Sequence, residues 1–354
     1  MEHLAQNQYG GEAPLFAVAP MMDWTDRHCR FFHRQLTKSA LLYTEMVVAD
    51  AVIHGNRERL LGFDECEHPV AVQLGGSAPT KLAEAAKVCL DFGYDEINLN
   101  VGCPSDRVQS GTFGACLMRE PETVAKCVEA MVSSVGGQIP VTVKCRIGVD
   151  DQDPRIALPT LAKMVWDVGC GALWVHARKA WLQGLSPKQN RDVPPLDYDL
   201  VRELKAENAS EFIGLNGGLV DVNHALDEMN QGSALLDGAM LGRAAYQNPG
   251  ILCDVDRVAG PHAEPRSSSD LIDAMVDYTD RHIANGGRAS HVARHMVGLF
   301  NGQPGARRWR QIISEQSTRE GATGDVLREA FAALPAPNLG QRDRTSLHID
   351  RGAA

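Results

Sequence analysis

Apolar residues in this chain fall into short, near-continuous runs, separated by longer stretches in which they recur every three or four positions. The runs predict strands at residues 15–22, 40–46, 69–76, 96–102, 140–148, 172–178, 211–218 and 238–245. Runs with so few alternating polar positions fit strands covered on both faces. The intervening stretches, such as 79–92, 121–135 and 197–208, carry helical periodicity. Pro121 with Glu122 beside it suits a helix start, and Gly93 suits a helix end. Eight strand–helix units in succession predict an α/β fold, a (β/α)8 barrel. A doubly wound parallel sheet is the alternative, but the even spacing and the lack of a Gly-x-Gly-x-x-Gly turn favour closure.

After Tyr246 the pattern changes. Residues 261–269 are rich in Pro and Ser and read as a linker. Beyond them the period is helical, at 270–285, 291–300, 305–316 and 325–334. The expected organisation is a barrel domain over 1–260 and a small all-helical domain over 261–354, ending in a loose polar tail from 335.

Composition narrows the class. With 354 residues, 44% hydrophobic and 23% charged, the chain can bury a core without staples. No run approaches the roughly 18 apolar residues of a membrane span, and the polar first residues lack a basic-then-apolar leader. Nine cysteines without a Cys-x-x-Cys pair point to a reducing compartment and to no metal site. The expectation is a cytoplasmic protein with no membrane and no obligate protein partner. A net charge of −10 argues against a polyanionic ligand. Yet between 286 and 320 six arginines (288, 294, 307, 308, 310, 319) face only Glu315 and Glu320, so basic charge is concentrated locally. A solvated helical face explains that window equally well on charge alone.

Candidate chemistry gathers where barrel active sites lie, at the C-terminal ends of strands. Those ends carry Met21, Asp23 and Trp24, then Glu45, Gln73, Asn100 with Cys103, Lys144 with Arg146, and His176 with Arg178. The last two strands end in Asn216-Gly217-Gly218 and Gly242-Arg243. Any one of these could merely satisfy barrel backbone; the repetition at one end of eight strands is what points to a site. The glycines after strands seven and eight let backbone N–H groups approach a phosphate, and Arg243 adds charge. Lys144 offers a cation to an oxyanion or to an anionic ring such as a reduced flavin. Cys103 sits in a loop stiffened by Gly102 and Pro104, whereas Cys89, Cys127 and Cys170 lie in apolar contexts. An ordinary thiol is mostly protonated at neutral pH, so Cys103 is expected to donate a proton rather than attack.

The run INLNVGCPSDRVQSGTFGAC at 97–116 closely resembles the signature of tRNA-dihydrouridine synthases. So do VAPMMDWTDR at 18–27, VQLGG at 72–76, VHAR at 175–178, MLGRAAYQNP at 240–249 and NGQPGARRWR at 301–310. The stretch WLQGLSPKQNRDVPPL at 181–196 resembles the bacterial A-type subfamily, which acts on D-loop uridines 20 and 20a. The resemblance implies FMN bound by Pro20, Met21, Met22, Gln73, Lys144 and His176. It places the flavin phosphate at Asn216, Gly217, Gly218, Gly242 and Arg243. It makes Cys103 the catalytic proton donor and Asn100, Lys188, Arg191, Arg307 and Arg310 the contacts to tRNA. The implied reaction takes electrons from NADPH to FMN, then hydride to C6 of uracil with a proton from Cys103 to C5, on a base extruded from the stack. One departure is the segment 223–237, longer than the family pattern and expected in an outer helix. Two enzyme readings remain open on the residues alone: a Schiff-base aldolase using Lys144, and a flavin-dependent reductase of a free pyrimidine. A non-enzymatic RNA-binding module is a third.

Overall fold

The computed structural model describes residues 9, 11, 13–105, 113–232, 234–259, 267–335 and 337–339. Eight parallel strands form a closed barrel in chain order: β1 (Leu15–Val18), β2 (Leu41–Val48), β3 (Val70–Gly75), β4 (Glu96–Val101), β5 (Val141–Arg146), β6 (Leu173–His176), β7 (Ile213–Asn216) and β8 (Gly238–Leu241). Closure runs through β1, where Leu15 lies opposite Gly238 and Val18 opposite Leu241. Around the barrel run α1 (Arg27–Leu36), α2 (Ala49–His54), α3 (Arg57–Leu61), α4 (Pro79–Asp91), α5 (Pro121–Val135) and α6 (Pro154–Trp166). The series continues with α7 (Tyr198–Glu207), α8 (Val222–Met229), α9 (Arg243–Gln247) and α10 (Cys253–Ala259). A helical region follows, with α11 (Ser268–Ala284), α12 (Ala289–Ala293), α13 (Ala306–Gln316) and α14 (Asp325–Ala332).

Strand side chains alternate between two environments, as a pleat requires. One row, including Val72, Leu74, Ile97, Leu99, Val143 and Val175, joins the helices in the main apolar core. The other row points to the barrel axis. Its apolar part is a small separate cluster containing Ala17, Leu41, Tyr43, Ala71, Trp174 and Met240. Trp174 fills so much of that space that a Cβ at Gly214 would lie 2.1 Å from its ring, which is why β7 carries glycine there. The rest of the inward row on β3, β4 and β5 is polar: Gln73, Glu96, Asn98, Asn100 and Thr142 are all buried. The expected near-continuous apolar character of these strands therefore holds for the outer row only.

Several expected boundaries shift. β1, β6, β7 and β8 stop at 18, 176, 216 and 241, because the residues beyond leave the ladder to form the mouth loops. Residues 243–245, expected in a strand, begin α9 instead. In the 223–237 segment the helix α8 ends at Met229, and the described residues beyond it form a loop rather than more helix. The single helix expected at 291–300 breaks into α12, a 3-10 turn at Arg294–Met296 and further turns. Its backbone comes so close to the barrel that a Cβ at Gly298 would lie 2.3 Å from the Gln247 carbonyl oxygen. Of the expected linker, residues 261–266 lie outside the described residues, and Ser267 caps α11 by accepting from the Asp270 N–H at 3.1 Å. Most of the expected tail, 340–354, also lies outside them.

The helical region is fastened to the barrel at Asp26. That carboxylate caps α1 by accepting from the N–H groups of His28 and Cys29, at 3.0 and 2.9 Å. It also receives Arg294 Nη2 at 2.6 Å and His295 Nε2 at 3.0 Å. Burial works to raise its pKa, but the His295 bond and charge and the Cys29 N–H hold it well below the usual carboxylate range. Within the region Trp309 is fully buried, its Nε1 donates to the Met296 carbonyl at 3.0 Å, and its ring meets Phe300 edge-on.

Glu96, at the start of β4, accepts hydroxyls from Tyr9, Tyr43 and Thr142. Burial pushes its carboxyl up to about 7 in spite of those three bonds. A folded-state pKa above the unfolded one means protonation favours the folded protein. This contribution is complete below the unfolded value and is lost as pH rises through about 7. Equilibrium unfolding should therefore show a loss on the order of 3 kcal/mol between pH 4.5 and 7.5 that Glu96→Gln abolishes. An unaltered pH dependence in Glu96→Gln would remove Glu96 as its source.

Candidate active site

A cavity of about 700 Å³ opens at the C-terminal mouth of the barrel, within the range usual for small-molecule sites. It is lined from the β1 loop by Pro20, Met21 and Met22, and from β3, β4 and β5 by Gln73, Asn100 and Lys144. His176, Asn216, Gly217, Gly218, Gly242 and Arg243 complete its far wall, and Cys103 stands at its edge. All the residues expected to hold a cofactor, and the expected proton donor, thus face one space.

Asn100 shapes the Cys103 loop. Its Oδ1 accepts from the backbone N–H groups of Gly102 and Cys103, both at 3.0 Å, while its Nδ2 donates to Gln73 Oε1 at 2.7 Å. This leaves at most one amide N–H of Asn100 for a ligand. The Cys103 thiol is partly exposed, 3.5 Å from Ser105 Oγ, and its carbonyl accepts from the Ala115 N–H at 2.9 Å. The backbone around the thiol is therefore fixed while the sulfur stays accessible.

The β5 and β6 side of the site is cationic. Lys144 Nζ donates to Asn216 Oδ1 at 2.9 Å, and Asn216 Nδ2 in turn donates to the Met240 carbonyl at 2.6 Å. Burial, with Arg146 nearby, lowers Lys144 to about 8. His176 is buried and its pKa is held well below the usual value, first by burial and then by Arg146, Lys144 and Arg178. Its neutral ring keeps Nε2 with no hydrogen-bond partner in the protein. Gly217, at φ +105°, is required beside it: a Cβ there would lie 2.4 Å from the His176 ring. Gly218, at φ +72°, passes equally close to Leu196 and to the Tyr198 hydroxyl. A Cβ at Gly242 would meet no protein atom within 4 Å, so the backbone there is open to the cavity.

Arg243 has a partner in the protein: Nη2 donates to Asp192 at 2.6 Å. Asp192 belongs to the loop after β6, whose organiser is the fully buried Asn190. Asn190 Oδ1 accepts from the Trp181 N–H at 2.7 Å, and its Nδ2 donates to the carbonyls of Trp181 and Leu185. Arg146 clips this loop to the one bearing Cys103, donating to the Asn190 carbonyl at 2.7 Å and the Gly102 carbonyl at 3.2 Å. Sequence reading placed Arg146 at the mouth without this role and missed Asn190. Only a polar residue set among Lys188, Gln189 and Arg191 hinted at it, since burial depends on how the loop folds.

The five residues expected to touch tRNA are not equivalent. Asn100 and Arg191 line the cavity, and Lys188 is exposed on the same loop as Arg191. Arg307 and Arg310 are exposed on α13; Arg310 Nη1 donates to Asn301 Oδ1 at 2.9 Å, and Asn301 lines the cavity. Arg307, Arg308 and Arg310 all sit in the first turns of α13, where the helix dipole disfavours cations and no acidic residue offsets them. Buried Trp309, Ile312 and Ile313 hold the helix in place instead. Among the described residues no helix is long and apolar enough to cross a membrane, and no cluster of His, Cys, Asp and Glu could hold a metal.

The dihydrouridine synthase family model matches residues 17–334, spanning both the barrel and the helical region. A tRNA-dihydrouridine(20/20a) synthase of Shewanella oneidensis is 50% identical over 327 residues, 92% of this chain and 96% of its own. One of Xanthomonas axonopodis is 52% identical over 316 residues, 89% of this chain and 92% of its own. A third, of Vibrio cholerae, is 50% identical over 326 residues and covers 92% and 98% of the two chains. With a match that takes in the cavity, the Cys103 loop and α13 together, the chain belongs to the dihydrouridine synthase family.

Proposed function

We propose that this protein reduces uridine to 5,6-dihydrouridine at positions 20 and 20a of the tRNA D-loop, with FMN as cofactor and NADPH as reductant. The observation that carries this reading is the convergence of Cys103, Lys144, His176 and the Gly217, Gly218 and Gly242 backbone on one cavity. The residues fit a flavin mononucleotide. Gly242 leaves open space beside its backbone, as a phosphate needs, and the orphaned buried Nε2 of His176 requires a polar ligand atom. Lys144 would hold the electron-rich edge of the ring and Gln73 its polar edge, while Pro20, Met21 and Met22 cover it. A flavin held there would supply the hydride for C6 of the uracil, with NADPH as the source of the electrons.

The chain contributes the other half of the reaction. Cys103 donates its proton to C5 from a loop that Asn100 and Arg146 hold still. Lys144, lowered to about 8, keeps a proton over most of the physiological range and offsets negative charge in the cavity. The base enters flipped out of the stack, with Arg191 and Lys188 at the rim. Arg307 and Arg310 meet the phosphate backbone, and a tRNA substrate implies work in the cytoplasm. An aldolase, or a reductase of a free pyrimidine, would leave the exposed arginines of α13 without a role.

The purified protein should be yellow and release FMN on denaturation. Gly217→Ala, which forces a methyl group into the His176 ring at a positive φ, should lose most of that FMN. Colourless wild-type protein that takes up no added FMN would end the proposal.

Cys103→Ala should retain FMN and be reduced by NADPH, yet be reoxidised by unmodified tRNA about a hundred- to ten-thousand-fold more slowly, the scale of general-acid catalysis. Stopped-flow flavin absorbance measures both half-reactions. Reoxidation at the wild-type rate would return Cys103 to a packing role.

If Arg307 and Arg310 each neutralise a phosphate, the double alanine variant should flatten the salt dependence of tRNA affinity by about 1.5 to 2 log units per log unit of salt. Its FMN content should not change. A slope equal to wild type across a salt series would make these arginines a solvated face.

A further inference from the structure

The polar row inside the barrel is one continuous hydrogen-bond chain. It starts at the mouth, where the Gly102 and Cys103 N–H groups donate to Asn100 Oδ1. Asn100 Nδ2 donates to Gln73 Oε1 at 2.7 Å, and Gln73 Nε2 donates to Asn98 Oδ1 at 2.8 Å. Asn98 Nδ2 donates to Thr142 Oγ1 at 2.8 Å, and the Thr142 hydroxyl donates to Glu96. Each side chain in it is at least nine-tenths buried.

The mouth end of this chain is chemically unambiguous. A backbone N–H can only donate, so Asn100 must turn its oxygen to the Cys103 loop and its nitrogen to Gln73. Gln73 must then present oxygen to Asn100 and nitrogen to Asn98, and the same logic passes through Asn98 to Thr142. At the far end the Glu96 carboxyl, which also receives Tyr9 and Tyr43, accepts the Thr142 proton. One polarity satisfies every link, and reversing any amide would set donor against donor among buried side chains.

We propose that Glu96, Thr142 and Asn98 are positioning residues for the proton transfer: from the far end of the barrel they fix the orientation of the Asn100 and Gln73 amides, and through Asn100 the placement of Cys103. This rests on the reading of Cys103 as proton donor. None of the three is among the residues lining the cavity, so their influence on the reaction runs through the chain. Thr142→Val keeps the shape of the side chain but removes both the acceptor for Asn98 and the donor to Glu96. Asn98 is then free to turn, Gln73 follows, and Asn100 loses the partner that holds its oxygen toward the loop.

The test uses the intact FMN-loaded protein with NADPH and unmodified tRNA. At saturating FMN, Thr142→Val and Asn98→Ala should still load with the flavin and be reduced by NADPH within about twofold, but at saturating tRNA be reoxidised roughly ten- to a hundredfold more slowly, the cost of misplacing a reacting group by about an ångström. Thr142→Ser, which keeps the hydroxyl, should recover the wild-type rate. A merely structural role would lower stability in all three variants without singling out the tRNA half-reaction. Folded, FMN-loaded Thr142→Val that is reoxidised at the wild-type rate overturns the proposal. So does loss of the folded flavoprotein in both Thr142→Val and Asn98→Ala, which would make the chain a folding element. Cys103→Ala run alongside separates the two readings. If it is slow while Thr142→Val is fast, only the positioning role falls; if Cys103→Ala is itself fast, both fall.

Discussion

β1 has β2 on one edge and β8 on the other, so the sheet has no free end. Closure gives every strand one row of side chains that must point at a common axis, and water is excluded from that axis. Whatever occupies the inward row has to be either apolar and well packed or polar and fully paired. Here it is both. Trp174, with Tyr43 and small residues around it, fills one part, while Glu96, Thr142, Asn98, Gln73 and Asn100 pair with one another along the rest. The same closure brings the ends of eight strands to one rim, which is how residues as distant in the chain as Cys103 and Gly242 come to face one cavity.

The mouth is built from loops, and loops need bracing if they are to hold reactive groups. Two braces do this. Asn100 folds the Cys103 loop onto the end of β4, and Arg146 ties that loop to the one organised by Asn190. The first brace is local and the second joins segments more than eighty residues apart. The cationic wall follows from the same crowding. Lys144 and His176 are close to each other and to Arg146 and are buried, so each is pushed toward its neutral form, His176 completely and Lys144 only in part.

The helical region contributes mainly a surface, and Asn301 is its one described residue in the cavity wall. Asp26 anchors it by serving two purposes at once, as the cap of α1 and as the partner of Arg294 and His295. Arg294 therefore belongs to the junction, and the basic window seen in the sequence is divided. Part of it holds the two regions together, and the exposed part on α13 stands beside Asn301 at the cavity edge. An acidic protein of net charge −10 can in this way present a basic face where the mouth opens.

Local pattern alone determined a good deal. The strand count, the order of strands and helices, the ends of α4 and α5, and the place of Gln73, Asn100, Lys144, His176, Asn216 and Gly242 at the C-terminal ends of strands follow from periodicity and turn residues. The long runs around Cys103 and Gly242 identified the family because such motifs are contiguous. Tertiary structure decided what contiguity cannot carry. In Glu96-Ile-Asn-Leu-Asn-Val101 the alternation of polar and apolar positions was visible, but its meaning depends on which row faces inward, and only closure settles that. Arg146 and Asn190 became braces because two loops meet, and Arg243 turned to Asp192 because the β6 loop folds back across the mouth. The helix break at 294–296 also answered to packing rather than propensity. Periodicity is a property of neighbours along the chain; hydrogen-bond satisfaction in a dry interior is a property of neighbours in space.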